Sequence, residues 1–146
     1  MTDYVGANFD AGEMIGDGVV ITCKAGGSIT KGTFVKLSDA TDLSVVVATD
    51  KANVLGVAMK AASASGEYIP VCVRGLVKMK LGSAVSGTLA AGKALKSDAD
   101  GLPDALADQA VDEAGSATYT IYYNAKAGIP LHSGVAGDYV MVLVGK

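Results

Sequence analysis

The sequence has no tryptophan and only one histidine, two cysteines and three prolines among its 146 residues. A metal site of the usual Cys/His type needs clustered ligands, and the lone His132 has no Cys or His beside it in sequence. Neither Cys23 nor Cys72 belongs to a CxxC pattern; each sits in a strand-like run and reads as a buried, reduced thiol. A disulfide between them requires neighbouring strands. No nucleophile elbow, phosphate-binding glycine loop, dinucleotide fingerprint or HExxH run is present. The acidic stretch Asp98-Ala99-Asp100-Gly101-Leu102-Pro103-Asp104 resembles a calcium loop, but its glycine comes too early and the closing glutamate is missing. It reads as a solvated turn. Catalytic carboxylates need burial to shift their pKa values, and Asp39, Asp42, Asp98 and Asp100 all lie in turn-like sequence. A non-enzymatic chain with neither cofactor nor metal is expected.

Long apolar runs are also missing. Val45-Val46-Val47-Ala48 is among the longest, far short of a bilayer span, and Met1-Thr2-Asp3-Tyr4 lacks the basic start of a signal peptide. The expectation is a soluble chain made in the cytoplasm, with no membrane contact. Basic residues do not cluster: twelve Lys and Arg lie scattered against fifteen Asp and Glu, giving a net charge of −3. Without a basic patch to neutralise phosphates, nucleic acid is not an expected partner.

What the chain does have is small and β-branched residues. Half of it is hydrophobic with few aromatics, and 19 glycines punctuate the short runs, a composition suited to thin, closely packed strand layers with tight turns. Strands are predicted over 19–23, 33–37, 45–49, 54–59, 68–74, 76–81, 117–123 and 138–144. Pro70 lacks an N–H, which predicts an edge or a bulge for its strand. One short helix is predicted over 104–114, where Leu106, Ala107, Ala110, Val111 and Ala114 recur at helical spacing after Asp104 as N-cap. Residues 1–18 are interrupted by glycine too often for a regular element. They read as an extended N-terminal arm whose apolar anchors, Tyr4, Val5, Phe9, Met14 and Ile15, grip a neighbouring subunit.

The chain also repeats itself. Gly56-Val57-Ala58-Met59 followed by Gly66-Glu67-Tyr68 and an alternating strand matches Gly128-Ile129-Pro130-Leu131 followed by Gly137-Asp138-Tyr139 and another. Upstream, Ser28-Ile29-Thr30-Lys31-Gly32 with Phe34-Val35-Lys36 matches Thr88-Leu89-Ala90-Ala91-Gly92 with Ala94-Leu95-Lys96. Two copies of one β module, about 19–75 and 76–146, are therefore expected to share a single all-β domain over 19–146. The second copy is lengthened by the insert at 104–116.

The run Leu55-Gly56-Val57-Ala58-Met59, then Ser65-Gly66-Glu67, then Val71-Cys72-Val73-Arg74-Gly75 resembles the DUF2190-type capsid cement proteins of tailed phages. The turns at Ile29–Gly32 and Leu89–Leu95 and the closing strand from Gly137 look like that family's, so the resemblance covers about residues 19–146. Pro130 in the second "GVA" element and the 104–116 insert depart from its pattern. The resemblance implies a β-tulip or barrel-like protomer, usually a homotrimer, on the virion exterior. There it would bind the major capsid protein where subunits meet and hold the expanded shell. The alternative from the residues is a β-sandwich binding module, a fibre or carbohydrate-recognition domain, using aromatic platforms such as Tyr119, Tyr122 and Tyr123.

Overall fold

The computed structural model describes residues 9–38, 43–107 and 123–145. Nine strands make up nearly all of its regular structure: β1 (Val19–Ala25), β2 (Phe34–Leu37), β3 (Ser44–Val47), β4 (Val54–Ala58), β5 (Tyr68–Lys80), β6 (Leu95–Ser97), β7 (Pro103–Ala105), β8 (Gly128–Pro130) and β9 (Tyr139–Val144). One 3₁₀ turn, Tyr123–Ala125, accompanies them. The chain is all-β and barrel-like, as the glycine-punctuated β-branched runs predict.

Strands β1, β3, β2, β4 and β5 pair in that order, and β1 also pairs with β5, so the sheet closes into a barrel. Among the described residues, only the β1–β3 contact is parallel. Closure leaves this half without a free edge. Alternate residues of each strand then point inward, and Cys23, Ala25, Val35, Val45, Ile69 and Val71 fill the lumen. Beyond the barrel, β5 continues to pair with β9, followed by β8, β6 and β7.

The strands predicted over 68–74 and 76–81 are thus one strand of 13 residues that serves both halves. Gly75 marks the changeover with φ +146°, a backbone angle that side-chain-bearing residues rarely adopt. Pro70 is not at an edge: β5 lies between β1 and β4 there. Its carbonyl accepts from the Met59 N–H at 2.9 Å, just past the end of β4. Pro70 thus sits at the last rung of the β4–β5 ladder, where its missing N–H costs only the terminal bond.

The predicted helix is corrected at its start. Asp104 is a strand residue opposite Lys96, and Leu106 N–H continues the ladder to the Ala94 carbonyl at 2.9 Å. Residues 108–114, and 117–122 of the predicted strand, lie outside the described residues. Part of the predicted arm is among the described residues. Gly12 N–H donates to the Lys78 carbonyl at 2.7 Å, Ile15 N–H to the Leu76 carbonyl at 2.8 Å, and Met14 bridges antiparallel to Val77. Residues 12–15 thus lie along β5 of their own chain.

Matched positions of the two halves make matched bonds. Ile29 and Ala62 exchange backbone hydrogen bonds of 2.9 Å, as Leu89 and Gly134 do at 2.8 and 3.0 Å. Gly32 N–H donates to the Ala58 carbonyl and Gly92 N–H to the Pro130 carbonyl, both at 2.8 Å. Ala25 N–H reaches the Glu67 carbonyl at 2.7 Å, and Leu81 N–H the Asp138 carbonyl at 2.8 Å. The first part of β5 thus plays the role of β9, and its second part the role of β1.

The halves meet in a shared core. Val77, Met79, Leu81, Leu95, Val140 and Val142 pack together with Phe34, Ala48, Val57 and Cys72 from the first half. Phe34 is fully buried, and a side chain of that size gains about 2–3 kcal/mol from leaving water.

Candidate interaction surface

Several large apolar side chains stay outside both cores. On β9, Tyr139 and Leu143 are 47% and 44% exposed while Val140, Val142 and Val144 alternate inward. Leu143 lies opposite Leu76 of β5 and Ile129 of β8, so an apolar strip crosses the outer face of this sheet. Leu131 and Val135 extend it into the turn before β9. Apolar side chains gathered on one face mark a surface suited to another protein.

The two tyrosines of the repeated glycine-acid-tyrosine motif occupy equivalent sites. Tyr68, 68% exposed, lies opposite Lys24, and Tyr139 lies opposite Lys80. The Lys78 and Lys80 ammonium groups sit 5.3 and 6.0 Å from the Tyr139 ring centroid, within cation–π range.

At one end of the barrel the strands leave a groove of about 740 Å³. Its apolar wall includes Val19 at the start of β1, Leu37 at the end of β2, Leu55 of β4 and Val73 of β5. Lys36 and Arg74 stand at its rim. Leu55 and Val73 pack against the lumen cluster that holds Val35 and Val71 and also line the groove, so the groove lies directly beside the barrel core.

Charge is organised elsewhere. Lys96 contacts the Asp50 carboxylate and lies 3.0 Å from that of Asp104, joining the β3–β4 loop to the second half. Burial alone would pull the Lys96 ammonium down; its hydrogen bonds to Asp50 and Asp104 outweigh that and hold it above its ordinary value. The hydrogen bond from Lys96 holds the Asp50 carboxyl below the usual carboxylate range.

Asp98 is buried, contrary to the solvated turn expected. Its Oδ1 accepts the N–H groups of Asp100 at 2.8 Å and Leu102 at 2.9 Å, so the calcium-like stretch folds around its own carboxylate. Among the described residues, no three His, Cys, Asp or Glu side chains are placed to share a metal ion. His132 is half-buried in the turn after β8.

Cys23 faces the lumen beside Ile69, whereas Cys72 belongs to the shared core, 3.8 Å from the Met14 sulfur. Their strands are neighbours, but the two cysteines lie three rungs apart on opposite faces and both are free thiols. Burial pushes both thiols up from their ordinary value.

Of the five anchors predicted for the arm, Tyr4 and Val5 lie outside the described residues and Phe9 is half-buried. Met14 packs against the shared core and Ile15 is buried, so both are in contact with their own body. Sequence reasoning missed the groove, because Lys36 and Arg74 are far apart in the chain. The repeated Gly-acid-Tyr motif was the available signal for Tyr68 and Tyr139.

No family model matches the chain, and no curated protein matches it. Among solved structures, the chain is similar to the crystal structure of the head fiber gp8.5 N base of bacteriophage phi29. The TM-score is 0.59 with 16% identity, over 87% of this chain and 93% of that one. At that identity the likeness shows a shared fold.

Proposed function

We propose that this chain is a structural protein of a phage head, mounted on the outside of the icosahedral shell and acting by covering other protein surfaces. The observation that carries the reading is the shared fold with a head fibre base across nearly the whole chain. The sequence motifs that resemble capsid cement proteins motivate the finer form of the reading. In the finer form of the reading, the chain is a decoration protein: a homotrimer that bridges adjacent major capsid proteins and stabilises the expanded shell. Several modest contacts on one rigid body give slow release, because each rebinding event is intramolecular. The exposed strip around Leu143 and the tyrosine pair offer such contacts.

A second reading, a fibre-base module, is favoured by the same fold match. Such a module would attach to the head without reinforcing it. The two separate on heating heads of the virus, stripped of this chain, with and without the purified protein. Saturable co-sedimentation together with a higher disruption temperature is the result for a cement; co-sedimentation at unchanged temperature selects the fibre base. Absence of co-sedimentation removes both.

A further inference from the structure

The two halves make matched bonds, so each serves as a control for the other. Lys36 on β2 and Lys96 on β6 occupy the same position in the repeat. Across the strand pair, Lys96 meets Asp104, whose carboxylate lies 3.0 Å away. Lys36 meets Val46 instead. Among the described residues neither Lys36 nor Arg74 takes part in an ion pair, and both stand on the groove whose wall is Val19, Leu37, Leu55 and Val73. Among the described residues, the first half therefore keeps the cation of the ion pair, adds a second one, and has Val46 at the position of Asp104.

We propose that the groove at the open end of the barrel takes an acidic, aliphatic peptide segment of a partner protein. Its carboxylate meets Lys36 and Arg74, the two cations that line the groove, and a neighbouring aliphatic side chain meets the apolar wall. Charge complementarity selects an acidic segment over a basic one. The apolar part of the lining, Val19, Leu37, Leu55 and Val73, selects a peptide with an aliphatic side chain over a bare anion. This inference is independent of head attachment: a failed peptide titration leaves that reading standing, and the converse holds.

The test is an NMR titration of the ¹⁵N-labelled full chain with acetyl-Glu-Leu-Val-Glu-Leu-amide at up to about 1 mM, where weak fragment binding is still detected. The expected result is a set of shift changes confined to Val19, Lys36, Leu37, Leu55, Val73 and Arg74. Affinity should fall at least about tenfold for the peptide with lysine in place of glutamate and for the K36E/R74E double variant. V46D, which installs the missing carboxylate at the equivalent of Asp104, should weaken binding several-fold in a protein whose spectrum stays dispersed. No shift changes at these residues, equal affinity for the lysine peptide, or identical changes with sodium phosphate alone would each overturn the proposal.

Discussion

Lys96 ties the two halves of the molecule together through one ammonium and two carboxylates. Replacing it with methionine keeps the aliphatic stem but leaves the largely buried Asp104 carboxylate without its cation, at a cost of about 1–3 kcal/mol. The pH dependence has a definite sign. A carboxyl held below its ordinary value of 3.8, as Asp50 is, contributes stability that is fully present above that value and is lost as pH falls through the lower folded value. An ammonium held above 10.5, as Lys96 is, contributes stability below that value, lost as pH rises through the higher folded value. Urea midpoints should therefore fall below about pH 4, and less steeply in Lys96→Met. An identical acid slope in the two proteins would contradict the pairing.

The thiols give a second expectation at this scale: Cys23 and Cys72 should resist a disulfide reagent at pH 8 in the folded protein and react with it on unfolding. A fast-reacting equivalent in the native state would contradict their burial. The inward cysteines were legible from the apolar runs around them. Asp104 was not, because an aspartate before a helically spaced run has the same local signature whether it caps a helix or pairs across strands with a distant lysine.

At the scale of elements, β5 explains most of what sequence could and could not show. Its alternation is plain from Ile69 to Met79, yet Gly75 reads as a break. In the structure the glycine joins two pairing regimes in one strand. Gly75→Ala would place a side chain on a backbone at φ +146°, with its Cβ 3.2 Å from the Met14 sulfur. The expected loss is about 1–3 kcal/mol by denaturant titration, with the fold retained. A change within about 0.5 kcal/mol, the size of an ordinary surface substitution, would show that the glycine is not needed there.

The segment before β1 is less legible still. Its glycines and scattered apolar residues are compatible with a free arm, and only the structure shows Met14 bridging to Val77. A truncation meant to probe reach toward a neighbour should therefore stop at residue 8, since removing Met14 and Ile15 strips packing from the body itself.

For the whole molecule, the duplicated pattern was the most informative part of the sequence. Residues far apart, such as Ile29 with Ala62 and Leu89 with Gly134, make the same bonds because the same turns recur at matched positions. Barrel closure was less legible, since the β1–β5 contact depends on a strand shared by both halves. The interaction surface was least legible of all: exposure of Tyr68 and Leu143 depends on which face of a strand the rest of the chain leaves uncovered.

These observations describe a β body with an exposed apolar strip, two exposed tyrosines and a groove lined in part by Lys36 and Arg74, surfaces that we propose other proteins cover. The most direct test is an electron cryomicroscopy reconstruction of stripped heads incubated with the purified chain. The account predicts added density on the outer shell, in three-fold sets between capsid subunits, into which the nine-stranded body fits. A shell indistinguishable from the untreated one, at protein concentrations well above the number of sites, would contradict it.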